Sequence, residues 1–379
     1  MNKCILCGNT LDDSTHLFVC HNMPASAQDM PTQDDLDKEH GIDLQLCQCS
    51  GCGLIQFDCE PVSYYRDVIR AGGYSTTMKA LRRRQYSRLI ELCGLEGKKI
   101  IEIGCGQGEF LETLSEFPVK VYGIEHKADL VEKAKAKGLN VRLDFAERSG
   151  QHLEGAPFDA FLSFNFLEHQ PDPNGMMRCI YDNLTDGGYG LITVPRWEYI
   201  LANNSFYELL HDHIANYTEE ALTFLLNKNG FTVVEREVVN DDTTSFIVRK
   251  RLKTDISGLK GNFDRLASQM KEFVNSRYEK GQKVAVWGAS HQGFTAISTS
   301  GIGERLSYII DSAPFKHGKY SPASHVRIVP PDHFFSEPVD TILIIAPAFT
   351  DEIAGIIRER FGESIEIAAI RTDSIEYSV

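Results

Sequence analysis

The sequence predicts an α/β protein in three parts: a Cys-rich module over residues 1–62, a central Rossmann-like domain over 63–255 and a second Rossmann-like domain over 256–379. Three observations carry this division. Seven of the ten cysteines fall before residue 60. From Lys99 to about Lys250 strand-like apolar runs alternate with amphipathic segments, the pattern of a mainly parallel sheet covered by helices. Beyond residue 280 the same alternation starts again, and 379 residues exceed the usual length of one domain.

Composition narrows the function classes. Apolar residues are 42% of the chain and charged ones 24%, the balance of a folded globular protein. The formal net charge is −14 and there is no long Lys/Arg run, which argues against nucleic acid as a partner. No apolar stretch approaches the roughly 20 residues that cross a bilayer, and Met1-Asn2-Lys3-Cys4 does not open a signal peptide, so the expected setting is the cytoplasm, without a membrane partner. In that reducing setting clustered cysteines point to metal rather than disulfides.

Within residues 1–60 the acidic middle, Gln33 to Glu39, reads as a loop between two Cys pairs. Residues 61–97 hold a basic helical stretch from Met78 to Tyr86, continued by Leu89, Ile90 and Leu92, as a connecting helix. Strands are expected at Ile100–Ile103, Val119–Ile124, Ala160–Phe164, Gly190–Val194, Thr232–Val239 and Ser245–Val248, the last two as an antiparallel edge hairpin. A helix over 258–280 then leads to strands at Lys283–Val286, Leu306–Ile310 and Thr341–Ile345.

Four constellations carry chemistry. Cys4-Ile-Leu-Cys7 and Cys49-Ser-Gly-Cys52, each followed by glycine, have the spacing of two zinc knuckles, and four thiolates make a closed, structural zinc site. Free core thiols are the alternative; Cys20, His21 and Cys47 have poorer spacing for ligands. Second, Glu102-Ile-Gly104-Cys-Gly106-Gln-Gly108 runs from a buried strand into a glycine turn that permits close backbone approach to a ligand. With its acid inside the strand, it resembles the E/DxGxGxG signature of class I methyltransferases, which use S-adenosylmethionine, more than the GxGxxG of dehydrogenases. Glu125, at the end of the next strand, is placed to take two ribose hydroxyls. Asp144 and Phe145 can flank an adenine, or be a surface acid and a core ring.

Third, the strand ending at Phe164 delivers Asn165, Glu168 and His169 to the carboxyl edge of the sheet, where open α/β sheets bind ligands; Asn165 is assigned to the cofactor, and His169 is either chemical or structural. Fourth, the insertion from Phe206 to Tyr217 carries His211-Asp212-His213 ahead of a helix capped by Thr218. A His–carboxylate pair there can act as a general base, the alternative being a polar cluster at a helix terminus.

Taken together, these residues resemble the sugar C-methyltransferases that act on nucleotide-linked deoxysugars. The resemblance covers nearly the whole chain: Cys4 module, class I methyltransferase domain, and a Rossmann-like third domain signalled by Gly288-Ala-Ser-His291-Gln-Gly293 and Asp311 to Tyr320, whose turn can cradle phosphate or merely close the fold. That family carries a Y-x-E-H element after its fifth strand and a histidine after its fourth. His213 and His169 match, while Leu210 stands for the tyrosine and Asp212 for the glutamate; Tyr207 and Tyr217 are the nearby sources of a hydroxyl. The resemblance implies C3 methylation of a nucleotide-activated 4-ketosugar, with His213, held by Asp212, removing the C3 proton and His169 or a tyrosine stabilising the enolate. O-methylation of a small-molecule hydroxyl and a non-catalytic scaffold are the competing readings, and the chain is expected as a monomer or homodimer.

Overall fold

The computed structural model describes residues 2–67 and 75–377, so the segment 68–74 of the expected connecting stretch lies outside the described residues. The chain forms two compact units, Met1–Leu252 and Lys253–Val379.

The first unit opens with a small antiparallel sheet, and the acidic stretch Gln33 to Glu39 lies in the connection between its first two strands. Strands β1 (His16–Met23), β2 (Ile42–Gln48) and β3 (Ile55–Phe57) pair in sequence order. Helix α1 (Thr76–Cys93) follows, capped by the Ser75 side chain on the Met78 amide and ended by Gly94 in the left-handed region. Its buried residues Arg82, Gln85, Tyr86, Leu89 and Ile90 fall at i, i+3, i+4, i+7 and i+8, the inner stripe of a surface helix.

Next come β4 (Lys99–Ile103), α2 (Glu109–Leu114), β5 (Lys120–Glu125), α3 (Ala128–Ala136), β6 (Val141–Leu143), β7 (Phe158–Phe164), α4 (Pro173–Asp182), β8 (Leu184–Pro195) and α5 (Trp197–Asn203). The unit ends with β9 (Ala215–Asn216), α6 (Glu219–Lys228), β10 (Phe231–Val239) and β11 (Thr243–Lys250). Seven strands form one sheet in the order β10-β11-β8-β7-β4-β5-β6. Strands β4 to β8 pair in parallel, and β10 and β11 form the expected antiparallel edge hairpin. Alternate side chains of β4 divide between the two faces, Ile100 into one core and Ile101 and Ile103 into the other. The second of these cores also holds Cys4, Leu6, Cys49, Cys52 and Leu54, so the Cys-rich segment and the large sheet share one apolar interior.

The second unit consists of α7 (Ser257–Tyr278), β12 (Val284–Trp287), α8 (His291–Ser300), β13 (Ile309–Ile310), β14 (Ile328–Val329), β15 (Thr341–Ile344), α9 (Thr350–Phe361), β16 (Glu366–Ile370) and β17 (Ile375–Tyr377). Its sheet runs β14-β13-β12-β15-β16-β17, parallel except for β17, with apolar clusters on both faces. Ser290 caps α8 through the Gly293 amide, and Asp311 after β13 is held by the Ala289 amide and the Lys316 ammonium at 2.8 Å.

The large sheet tolerates no extra atom where β7 and β8 touch. A Cβ at Gly190 would lie 2.0 Å from a ring carbon of Phe161, which is fully buried and has no room to move. Gly190→Ala is expected to lower unfolding stability by about 1–3 kcal/mol, read by urea denaturation, through overpacking of that contact.

Candidate functional site

The carboxyl ends of β4, β5, β7 and β8 surround a cavity of about 500 Å³, a volume suited to a small organic ligand. Its floor begins at the glycine turn after β4. Gly104 and Gly106 both have positive φ, +68° and +59°, which only glycine adopts without strain. The turn is tied to the end of β5: the Gly104 and Cys105 amides donate to the Ile124 carbonyl, and the Gly106 amide donates to the Glu125 carboxylate at 2.9 Å. The other Glu125 oxygen accepts from the Lys127 amide at 2.9 Å. A carboxylate has about four acceptor sites, so Glu125, fixed by these two bonds, keeps capacity for hydroxyl donors.

Asp144 and Phe145 follow β6 and line the same cavity. One Asp144 oxygen accepts from the Phe145 amide and from Gln151 Nε2, which fixes the plane of the carboxylate. The Phe145 ring makes edge contacts with His126 and Phe166, and the Arg66 guanidinium lies 5.2 Å from its centre. Asn165 sits in the left-handed region after β7 with its side-chain oxygen on Thr193 Oγ1 at 2.9 Å. Direct ligand contact is corrected for two residues. Glu102 is enclosed within β4, one residue short of the strand's end, and Gly108 packs where a Cβ would meet Leu139 at 2.3 Å; neither lines the cavity.

The same cavity is lined by His169 and His213, their rings edge to face at 4.7 Å between centres. Ligand-capable atoms of Glu168, His169 and His213 lie within 4.8 Å of one another, a donor set usable by a cation or for proton transfer. His169 Nδ1 is 2.8 Å from the Asp212 backbone oxygen. That oxygen only accepts, so Nδ1 carries the hydrogen and a neutral ring offers a lone pair at Nε2. Burial lowers the pKa of both histidines: for His213 it falls to about 3, first by burial and then by its imidazole neighbour.

Asp212 does not hold His213, contrary to expectation. Its carboxylate turns away to accept from the Tyr64 hydroxyl at 2.8 Å and the Ala27 amide at 3.0 Å. The expected tyrosines are also corrected. Tyr207 is largely exposed, while Tyr217 is fully buried outside the cavity lining, its hydroxyl without a hydrogen-bond partner among the described residues. The hydroxyl at Asp212 comes from Tyr64, and Ala27 and Gln28 line the cavity beside it. Sequence reasoning misses Ala27, Gln28 and Tyr64 because they belong to no motif and come to the site only through the fold.

The four thiols Cys4, Cys7, Cys49 and Cys52 converge, their sulfurs all within 4.8 Å, with Cys4 and Cys52 at 3.4 Å and Cys7 and Cys49 at 3.4 Å. A zinc tetrahedron with 2.3 Å bonds has edges of about 3.8 Å, close to this spacing. Each pair sits on a turn closed by an amide–carbonyl bond, Gly8 to Cys4 and Gly53 to Cys49. Asn174 Nδ2 binds the Ile5 and Leu6 carbonyls at 2.9 and 3.0 Å, which ties the first knuckle to α4.

Comparison with known proteins agrees with this geometry. A family described as a methyltransferase domain matches residues 78–236, and one described as the C-methyltransferase C-terminal domain matches residues 255–364. C-methyltransferase NovU of Streptomyces niveus is 22% identical over 93% of this chain and 91% of its own length. A ubiquinone biosynthesis O-methyltransferase of Xanthomonas oryzae pv. oryzae is 31% identical over 31% of this chain, which spans about half (52%) of that protein. Among solved structures, the PH0226 protein of Pyrococcus horikoshii OT3 covers 50% of this chain and 98% of its own, at 15% identity and a TM-score of 0.41. The protein is an enzyme, an S-adenosylmethionine-dependent methyltransferase. Within that class, the near full-length likeness and the C-terminal match support the C-methyltransferases. No helix among the described residues is long and apolar enough to cross a membrane.

The depressed His213 pKa has a stability consequence. The native ring stays neutral down to about pH 3, while the unfolded ring takes up a proton near 6.5, so native stability falls as pH drops below 6.5. Between pH 6.5 and 5, where most carboxylates are still charged, His213→Gln is expected to lose roughly 1–2 kcal/mol less than the parent, measured by urea unfolding at each pH.

Proposed function

We propose that the protein methylates C3 of a nucleotide-activated 4-keto-deoxysugar, in the cavity between the glycine turn and the two histidines. The observation that supports this reading is that one cavity is lined both by Gly104, Gly106, Glu125, Asp144, Phe145 and Asn165, fit to hold the cofactor, and by His169 and His213, fit to move a proton. Positive-φ glycines with no side chain in the way, and a fixed carboxylate at the end of β5, fit an adenosine ribose. S-adenosylmethionine held there supplies the electrophilic methyl group.

A 4-keto group acidifies the neighbouring C3–H, and His213, neutral at ordinary pH, takes that proton on a ring that makes no hydrogen bond among the described residues. Burial makes the ring a weak base on its own; the enolate that forms beside it supplies the negative charge that stabilises the imidazolium. His169 takes a different part from the one expected of it. In its Nδ1–H tautomer the neutral ring accepts at Nε2, so it orients a sugar hydroxyl rather than donating to the enolate. The four thiolates hold a structural zinc, which fixes the module that walls the cavity.

Nucleotide 4-ketosugars incubated with the enzyme in D2O are expected to lose the C3 proton signal by NMR, and His213→Ala to abolish the loss. Methyl transfer to a hydroxyl without exchange at C3 would instead assign O-methylation. For the metal, elemental analysis is expected to give one zinc per chain, and Cys49→Ser to remove it and lower the thermal midpoint.

A further inference from the structure

The wall formed by residues 25–29 is attached to the catalytic loop through one buried acid. Asp212 is 2% exposed, and no basic side chain pairs with it among the described residues. Burying a carboxylate against neutral donors alone is costly, so the arrangement calls for a purpose. Its carboxylate binds the Tyr64 hydroxyl and the Ala27 amide, and the Tyr64 oxygen in turn meets Ser26 Oγ at 2.7 Å and the Ala27 amide at 3.1 Å. The adjacent His211 spans the Ala25 and Glu60 carbonyls at 2.7 and 2.9 Å. The backbone oxygen of Asp212 is the atom that holds His169 Nδ1.

We infer that Asp212 and Tyr64 are positioning residues: the pair docks the 25–29 turn at the cavity and, through the Asp212 carbonyl, locks His169 into the Nδ1–H tautomer that presents an acceptor to substrate. One residue thus performs two tasks from two groups. The side chain anchors the loop, and the anchored backbone aims the ring. Carbonyl position follows carboxylate position because both belong to one residue in a short loop, and a displacement of about 1 Å in a positioning group costs on the order of 100-fold in rate. The inference rests on the reading that His169 contacts substrate, but its first consequence, the locked tautomer, does not depend on any substrate.

The test uses the full chain with its metal, comparing the parent with Tyr64→Phe and Asp212→Asn. Long-range proton–nitrogen NMR spectra of the substrate-free protein are expected to give His169 as a single Nδ1–H tautomer, and as a mixture in both variants. Exchange at C3 per adenosylmethionine-binding site, counted by calorimetric titration, is expected to fall on the order of 10- to 100-fold, mainly in kcat. Counting sites removes any loss due to unfolded protein, and Tyr64→Phe, which keeps the ring, carries the test should Asp212→Asn not fold. An unchanged His169 tautomer in Tyr64→Phe overturns the proposal, as does a changed tautomer with unchanged turnover per site. Should no ketosugar react even with the parent, the tautomer result still decides the positioning claim, and the failure falls on the proposed reaction alone.

Discussion

The site depends on a two-residue strand. Ala215–Asn216 pairs antiparallel with Ile55–Gln56, which inserts the segment after α5 of the large domain into the sheet of the Cys-rich module. His213 lies two residues before that strand, and Asp212 three. Without the pairing, the insertion would be a surface excursion of more than ten residues with nothing to aim its histidines. With it, the loop is held at both ends and carries His213 and the Asp212 carbonyl to the cavity edge.

This pairing also explains why the module needs an internal clamp. A module of about sixty residues buries only a marginal apolar core by itself, and here the knuckle residues Cys4, Leu6, Cys49 and Cys52 lie in the same core as Ile101, Phe161 and Leu222 of the larger domain. The four-thiol cluster and the shared core stabilise the same few turns from two sides. The second knuckle leads into β3, and β3 pairs with β9, so the thiol cluster and the loop bearing the histidines belong to one hydrogen-bonded framework.

The electrostatics of the cavity follow a division of labour. On the cofactor side the acids Glu125 and Asp144 are fixed by backbone amides and remain able to accept hydroxyl or amino donors. In the same cavity burial lowers the pKa of two imidazoles, so at neutral pH neither repels a cationic ligand. Asp212, the acid beside His213 in sequence, binds the Tyr64 hydroxyl and the Ala27 amide rather than either imidazole.

Much was legible in the chain itself. The alternation of apolar runs revealed both Rossmann-like sheets and the edge hairpin, because strand period and burial are local properties of sequence. The glycine turn and the acid ending β5 were readable for the same reason: a sharp turn needs glycine wherever it occurs. The Cys pairs announced their convergence because tetrahedral thiolate ligation demands that spacing. What sequence alone could not decide was which groups meet across the fold. The strands of the module, on either side of the acidic loop Gln33 to Glu39, are short and lack a clear apolar alternation, and their pairing partners are distant in sequence. Tyr64 and the 25–29 turn carry no motif, and Asp212 beside His213 invited a pairing that a rotation of one side chain undoes. Adjacency in the chain fixes backbone distance only, while hydrogen-bond partners are chosen by the direction of the side chain in the packed structure, and that direction was set by the pairing of β9 with β3.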